Sequence, residues 1–232
     1  MSSLPTVLVP GLLCSPRLYA EQLPALWGFG PVVVASHRDD DSMAAIASRI
    51  LAAAPPRFAL VGLSMGGYLA FEIMRQARER VERLALLNTT AHPDTPEKTK
   101  GRNEQIALAK DGRLAEVVDD LSQVWLRPAR RGDPALLSVV RQMADETGAE
   151  AFVRQQHAIM NRPDSRPGLA AIGCPTLVLS AAEDAIITPG HAEEMADRIP
   201  QARLVVVPEC GHLSTLEQPE ALTRALVDWR TA

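Results

Sequence analysis

Short apolar runs alternate with helix-like patterns through the first third of the chain. The runs occupy residues 6–9, 32–34, 58–61 and 84–87 and are rich in valine and leucine. Strands of a parallel sheet have this appearance because helices cover both of their faces, so polar residues do not alternate with apolar ones. The pattern predicts four buried parallel strands.

The segments between these runs carry the spacing of amphipathic helices, at about residues 17–26, 42–54 and 67–80. In the second of them Ile46, Ala47 and Ile50 lie on one apolar stripe. The pair Pro55-Pro56 ends that helix, since proline lacks an amide hydrogen. Alternation of strand and helix predicts an α/β fold with a doubly wound, mostly parallel sheet.

The rhythm changes between residues 92 and 162, where no β-like run occurs. The sequence there is charged, and its glycines and prolines divide it into predicted helices at 97–110, 112–125, 134–146 and 148–160. A strand at 175–180, a helix at 189–199, a strand at 203–207 and a closing helix at 218–230 follow. We expect a core of residues 1–91 and 163–232 that carries a helical insertion, or lid, at 92–162.

Composition and charge narrow the classes of function. The 232 residues are 47% hydrophobic, enough for one large domain, and the formal net charge of −4 gives no reason to expect nucleic acid or an anionic membrane as a partner. No apolar run approaches the ~20 residues of a membrane span, and the first residues lack a signal-peptide pattern. We therefore expect a cytoplasmic protein that acts on a small molecule.

Three cysteines, Cys14, Cys174 and Cys210, have neither the pairing nor the spacing of a disulfide framework or a zinc site. We expect reduced thiols and no bound metal. Cys14 and Cys210 lie near the candidate active-site segments in sequence, which suggests sensitivity to alkylation.

The stretch Gly62-Leu63-Ser64-Met65-Gly66 carries the candidate chemistry. It joins a predicted strand to a predicted helix, which is the context of a nucleophile elbow, a tight turn that exposes a serine hydroxyl at the end of a strand. The helix that follows directs its dipole and free amides at negative charge near the serine. A plain tight turn between strand and helix is the alternative.

A neutral serine needs a base to accept its proton and an acid to orient that base. His212 follows the last predicted strand, and Asp184 follows the strand at 175–180. Loops at the carboxyl ends of parallel strands converge on one crevice, so Ser64, Asp184 and His212 can meet there. Glu183 is the alternative acid, although its longer side chain and earlier position fit less well.

With these segments the chain resembles the α/β-hydrolase fold superfamily, in particular its small lidded bacterial esterases, enol-lactonases and biotin-pathway ester hydrolases. The matching stretches surround Gly11, Ser64, Asp184 and His212 and extend to Glu217-Gln218-Pro219. The resemblance implies a Ser64–His212–Asp184 triad, no cofactor, and an oxyanion hole made by the backbone amides of Leu12 and Met65. Relatives usually carry His-Gly after the first strand, whereas this chain has Pro10-Gly11.

Candidate pocket residues lie on the predicted insertion helices. Trp125, Phe152 and Met160 are apolar and could line an acyl pocket, although such residues more often pack in a core. Arg162 could contact a substrate carboxylate or tie the insertion to the core.

The sequence thus predicts a serine hydrolase of a small carboxylic ester that works through an acyl-enzyme. One alternative keeps the triad but cleaves an enol-lactone or a carbon–carbon bond of a ring-cleavage product. Another is a non-catalytic ligand-binding protein on the same fold.

Overall fold

Six strands form one sheet in the computed structural model, which describes residues 3–232, and each strand is parallel to its neighbours. Their spatial order is β2-β1-β3-β4-β5-β6. Their bounds are β1 Thr6–Val9, β2 Val32–Val34, β3 Phe58–Leu63, β4 Val81–Leu87, β5 Thr176–Ala181 and β6 Ala202–Val207. The predicted α/β fold with a parallel sheet is confirmed.

The strand order changes direction between β1 and β3. From β1 the chain adds β2 on one side and then β3 on the other, which leaves a crevice where the loops after β1 and β3 diverge. Ligands of open parallel sheets bind at such switch points, outside the carboxyl ends of the strands. The loop that follows β1 begins at Pro10, and Ser64 directly follows β3.

Ten α-helices occur in the described part of the chain, and most match the predicted spans within a few residues. They are α1 Leu23–Leu26, α2 Met43–Ala53, α3 Met65–Ala77, α4 Pro96–Lys110, α5 Leu114–Trp125, α6 Pro134–Thr147, α7 Ala149–Met160, α8 Pro189–Arg198, α9 Ser214–Glu217 and α10 Pro219–Thr231. The prediction of one helix at 17–26 is wrong, because this segment forms a 3₁₀ turn at Pro16–Tyr19 and then the short helix α1. Pro24 explains the division, since it cannot donate the amide hydrogen bond of a continuous helix.

The core lies on both faces of the sheet. All six residues of β3 are buried, and α3 packs against β1, β3 and β4 as well as against α2. Leu69 and Ile73 on α3 have no exposed surface, and burial of such a side chain stabilises the fold by about 1.5–3 kcal/mol. This packing fixes the direction of the helix that begins directly after Ser64.

Helices α4 to α7 lie between β4 and β5 in the chain. Helix α4 contacts α5 and α7, and α5 contacts α6. The two ends of this segment are joined, because the Arg162 guanidinium donates from Nε to the His92 carbonyl at 3.1 Å. Within residues 3–232, no helix has both the length and the apolarity required to cross a bilayer.

Candidate active site

Ser64 occupies a strained turn between β3 and α3. Its φ of 56° and ψ of −113° lie outside the conformations that non-glycine residues usually adopt. A Cβ atom at Gly62 would overlap the Gly66 carbonyl, and one at Gly66 would overlap the Val9 carbonyl. Both positions therefore require glycine, because the backbone passes too close for any larger residue. Ser64 is thus flanked two residues away on each side by residues without a side chain.

Three side chains from separate loops meet at this turn. The Nε2 atom of His212 lies 2.9 Å from Ser64 Oγ, and its Nδ1 atom lies 2.8 Å from Asp184 Oδ2. His212 and Asp184 are both buried, at 3% and 4% exposure. The structure thus forms a continuous hydrogen-bonded chain from hydroxyl to imidazole to carboxylate, the arrangement that activates a serine nucleophile.

Asp184 is held in the ionised state by its donors. Its Oδ1 atom accepts from the backbone amides of Ile186 and Ile187, both at 2.9 Å, and its Oδ2 atom also accepts from Asn88 Nδ2 at 3.0 Å. Burial raises the pKa of this carboxyl, but His212 and the other donors outweigh burial, so the pKa lies below its usual value. Glu183, the alternative acid, is exposed and faces Arg127 instead.

The His212 loop is fixed by contacts to the end of α5. The backbone amide of His212 donates to the Trp125 carbonyl at 2.8 Å. Buried Glu217 accepts from the amides of Gly211 and Arg127, both at 3.0 Å, and so joins the two loops. Residues of the helical segment therefore help to set the position of the imidazole.

Two backbone amides beside Ser64 have no acceptor. Neither the Leu12 amide nor the Met65 amide donates a hydrogen bond to any residue in the range 3–232. Leu12 lines the cavity next to Ser64, and Met65 is the first residue of α3. Free amides at a helix start and in the facing loop are suited to stabilise an oxyanion.

The loop that carries Leu12 is supported from two directions. His37 Nε2 lies 2.8 Å from the Gly11 carbonyl oxygen, and Gln155 Oε1 accepts from the Leu13 amide at 3.1 Å. Burial lowers the pKa of His37 to about 4, so its ring is neutral and donates to Gly11 at neutral pH. This chain has proline directly before Gly11, where relatives usually have histidine. An imidazole still contacts the loop, because His37, which follows β2, is hydrogen-bonded to the Gly11 carbonyl.

A cavity of about 210 Å³ opens onto Ser64 and His212. Part of its wall is apolar and consists of Leu121, Trp125, Ile159, Ile186 and Ile187. Another part is positively charged and consists of Lys98, Arg102 and Arg162.

Two of the predicted pocket residues require correction. Phe152 is fully buried and Met160 is half-buried, and neither lines the cavity. Both residues lie on α7, but the residue of this helix that lines the cavity is Ile159. Phe152 is about two turns away along the axis, and Met160 is rotated by about 100° around it.

The thiols near the site are buried. Cys14 lines the cavity and Cys210 precedes the His212 loop, and both side chains are buried. Burial raises the pKa of each thiol to about 12, which leaves almost no thiolate at neutral pH. Sensitivity of Cys14 and Cys210 to alkylation, which the sequence suggested, is therefore not expected from the structure.

One group of metal-ligand side chains lies outside the cavity wall. Ligand atoms of His92, His191 and Glu194 are within 4.8 Å of one another, and His92 Nε2 is hydrogen-bonded to Glu194 Oε2 at 2.5 Å. The candidate chemistry at Ser64 uses none of these residues.

Sequence reasoning gave no role to Asn88, Gln155 or Glu217, which hold the site together. They support Asp184, the Leu13 amide and the His212 loop, respectively. Asn88 did carry a signal, since it follows β4 at the same edge of the sheet as Ser64, where polar residues after strands converge.

Comparison with known proteins gives the class. A model of the alpha/beta hydrolase family matches residues 6–225. The chain therefore belongs to the alpha/beta hydrolase family, and the protein is a hydrolase.

Particular relatives agree with this class. An esterase from Thermogutta terrifontis, solved with malate bound, is 31% identical with a TM-score of 0.88, over 97% of this chain and 89% of that one. The enol-lactonase from Burkholderia xenovorans LB400 is 26% identical with a TM-score of 0.90, over 100% of this chain and 93% of that one. A pimeloyl-[acyl-carrier protein] methyl ester esterase from Nitrosomonas europaea is 28% identical over 72% of this chain and 68% of its own length.

Proposed function

We propose that the protein hydrolyses a small carboxylic ester through an acyl-enzyme on Ser64. The observation that carries the proposal is the hydrogen-bonded chain from Ser64 Oγ through His212 to Asp184 at the wall of a small cavity. Similarity to two ester-cleaving proteins, from Thermogutta terrifontis and Nitrosomonas europaea, supports it.

The mechanism proceeds in two halves. Ser64 Oγ bonds to the ester carbonyl carbon while His212 Nε2 takes its proton, and the amides of Leu12 and Met65 stabilise the oxyanion. The bond from carbon to the alcohol oxygen then breaks, and the alcohol leaves with the proton from His212. Water, activated by His212, attacks the acyl-enzyme, releases the acid and returns the proton to Ser64.

Helices α4 to α7 act as a lid in this proposal, with residues 92–162 as the insertion and residues 1–91 and 163–232 as the core. The lid supplies Leu121, Trp125 and Ile159 to the cavity wall. Exclusion of water from such a site strengthens the electrostatic interactions that stabilise the transition state.

Labelling and turnover test the nucleophile. A fluorophosphonate probe should form one adduct, on Ser64, and Ser64→Ala should abolish both the adduct and the hydrolysis of p-nitrophenyl acetate and butyrate. Ser138→Ala, at an exposed serine on α6, is the matched control and should behave as wild type. Full turnover in Ser64→Ala would contradict the proposal.

The neighbouring acids provide a second test. We expect Asp184→Asn to lower kcat by roughly 10⁴, as replacement of the orienting carboxylate does in other triads, and Glu183→Gln to leave it nearly unchanged. The reverse result would assign the acid to Glu183.

A lactone is the second candidate substrate. Similarity to the Burkholderia xenovorans enol-lactonase across the whole chain favours it. The same acyl-enzyme would form, but the alcohol would remain attached to the acyl group. Comparison of kcat/KM for matched open-chain esters and lactones would decide between the two.

A further inference from the structure

Two arginines at the cavity wall share a single carboxylate. Arg102 Nε and Arg162 Nη1 lie 2.6 Å from the Oδ2 and Oδ1 atoms of Asp94, whose side chain is 1% exposed. Burial raises the pKa of Asp94, but the two guanidinium groups outweigh burial, so the pKa lies below its usual value and the carboxylate is ionised. The cluster of Asp94, Arg102 and Arg162 therefore carries one uncompensated positive charge.

Each arginine keeps an unused donor. Arg102 also donates from Nη1 to Gln156, and Arg162 donates to the carbonyls of His92 and Ile159. Neither Nη2 group has an acceptor within residues 3–232, and neither is among the polar atoms that are sealed in the interior without a partner. Both free Nη2 groups belong to residues that line the cavity, so they can donate to a ligand there.

The charge of the cavity differs in sign from that of the protein. Lys98 also lines the cavity, and Asp94 is the one acid among the lining residues. Together with the ionised Asp184 directly behind His212, the site carries one net positive charge when His212 is neutral. The whole chain has a net charge of −4. A cavity of this sign attracts anionic ligands, and low-dielectric walls strengthen the attraction.

We propose that Arg102 and Arg162 form a carboxylate subsite, so that the substrate is an ester or lactone that also carries a free carboxylate. The inference rests on the proposed hydrolase function of Ser64. Guanidinium groups bind carboxylates with charge-assisted hydrogen bonds, and the two free Nη2 groups supply them.

The position of the cluster limits the length of the substrate. The Arg162 guanidinium lies 4.2 Å from the centre of the Tyr68 ring, and Tyr68 is one helical turn after Ser64, about 6 Å along α3. Side chains on a helix lean toward its N-terminus, which brings the Tyr68 ring toward Ser64. A spacer of a few bonds therefore separates the scissile carbonyl from the carboxylate.

Matched esters test the subsite. Monomethyl glutarate and monomethyl adipate carry the carboxylate on the acyl side, and the acetyl ester of γ-hydroxybutyrate carries it on the alcohol side. Each is compared with its neutral primary-amide isostere. We expect kcat/KM for the carboxylate to exceed that for the amide by roughly tenfold or more in one series, with a smaller ratio at high salt.

Variants identify the residue responsible. Arg102→Gln should remove most of the preference for the carboxylate, because it deletes the net charge of the cluster while Asp94 keeps Arg162 as a partner. Arg113→Gln removes an exposed arginine that pairs with Glu116 outside the cavity, and it should keep the wild-type ratio. Equal rates for acid and amide in both series, or an unchanged ratio in Arg102→Gln, would overturn the subsite.

Calorimetry separates this proposal from the hydrolase proposal. Ser64→Ala protein should bind monomethyl glutarate more tightly than its amide, and Arg102→Gln in the same background should remove the difference. Such binding in a protein whose wild type cleaves no ester would support the subsite and contradict the proposed reaction. Ester cleavage without any preference for the carboxylate would support the proposed reaction and contradict the subsite.

Discussion

Gln155 on α7 accepts a hydrogen bond from the backbone amide of Leu13, at 3.1 Å across 142 residues of sequence. Leu13 has a positive φ of 56°, a conformation that leucine rarely adopts without support. Gln155 is fully buried, so water does not replace it. The helical segment thus holds the loop whose Leu12 amide we propose as an oxyanion donor.

Replacement of Gln155 should therefore affect catalysis more than binding. We expect Gln155→Leu to destabilise the fold by about 1–3 kcal/mol, because the buried Leu13 amide loses its acceptor, and to lower kcat with little change in KM. Urea unfolding and ester kinetics measure the two effects. Gln142→Leu, at an exposed position on α6, is the control and should change neither. Wild-type kcat in Gln155→Leu would contradict the supporting role.

Asn88 should be required to keep Asp184 in place. It donates to Asp184 Oδ2 at 3.0 Å and accepts from Ser214 Oγ at 2.6 Å. We expect Asn88→Ala to lower kcat about tenfold and stability by about 1–3 kcal/mol, since a buried carboxylate loses a donor. The pKa of Asp184 should rise, so the acid unfolding transition should move to higher pH. Ser214→Ala, which leaves the bond between Asn88 and Asp184 intact, should have the smaller effect on kcat.

Gly211 sets the position of His212. A Cβ atom at Gly211 would lie 2.6 Å from both the Arg127 nitrogen and Glu217 Oε1. We expect Gly211→Ala to displace the loop and lower kcat/KM on the order of 100-fold, because misplacement of a catalytic group by about 1 Å has that effect. Gly190→Ala is the control, since a Cβ there meets open space. Similar kinetics for the two variants would show that the loop accommodates the methyl group.

His37 should make the stability of the protein depend on pH. Its pKa is lowered by burial to about 4 in the folded protein, whereas an unfolded histidine has a pKa of about 6.5. Between these values the unfolded chain binds a proton that the folded protein does not, so the free energy of unfolding falls as pH falls through this window. The full effect is about 3 kcal/mol.

The variant His37→Gln isolates this contribution. Glutamine can still donate to the Gly11 carbonyl but does not titrate, so its stability should decline less than that of wild type between about pH 7 and pH 5. Parallel urea unfolding curves at the two pH values measure the difference. Equal slopes for both proteins would mean that His37 has the same pKa in the folded protein as in the unfolded chain.

Local patterns in the sequence determined the elements and the elbow. Apolar runs predicted β1 to β6, and the glycines around Ser64 predicted the turn that the structure contains. The period of apolar residues depends on the burial of each segment. Gly62 is required by a contact within the turn itself, to the Gly66 carbonyl, whereas Gly66 is required by the close approach of Val9 on the neighbouring strand β1. The meeting of Ser64, Asp184 and His212 followed from the rule that loops at the carboxyl ends of parallel strands converge.

Tertiary structure decided which side chains line the cavity and which hold the loops. Each residue of a helix turns by about 100°, so the choice of Ile159 over Met160 depends on how α7 packs and not on its composition. The contacts of Gln155 with Leu13 and of Arg102 with Asp94 depend equally on where the helices after β4 pack. The sequence determined the candidate reacting groups because their loops follow strands of one sheet, whereas the packing of helices α4 to α7 determined the residues that support them and the charge of the cavity.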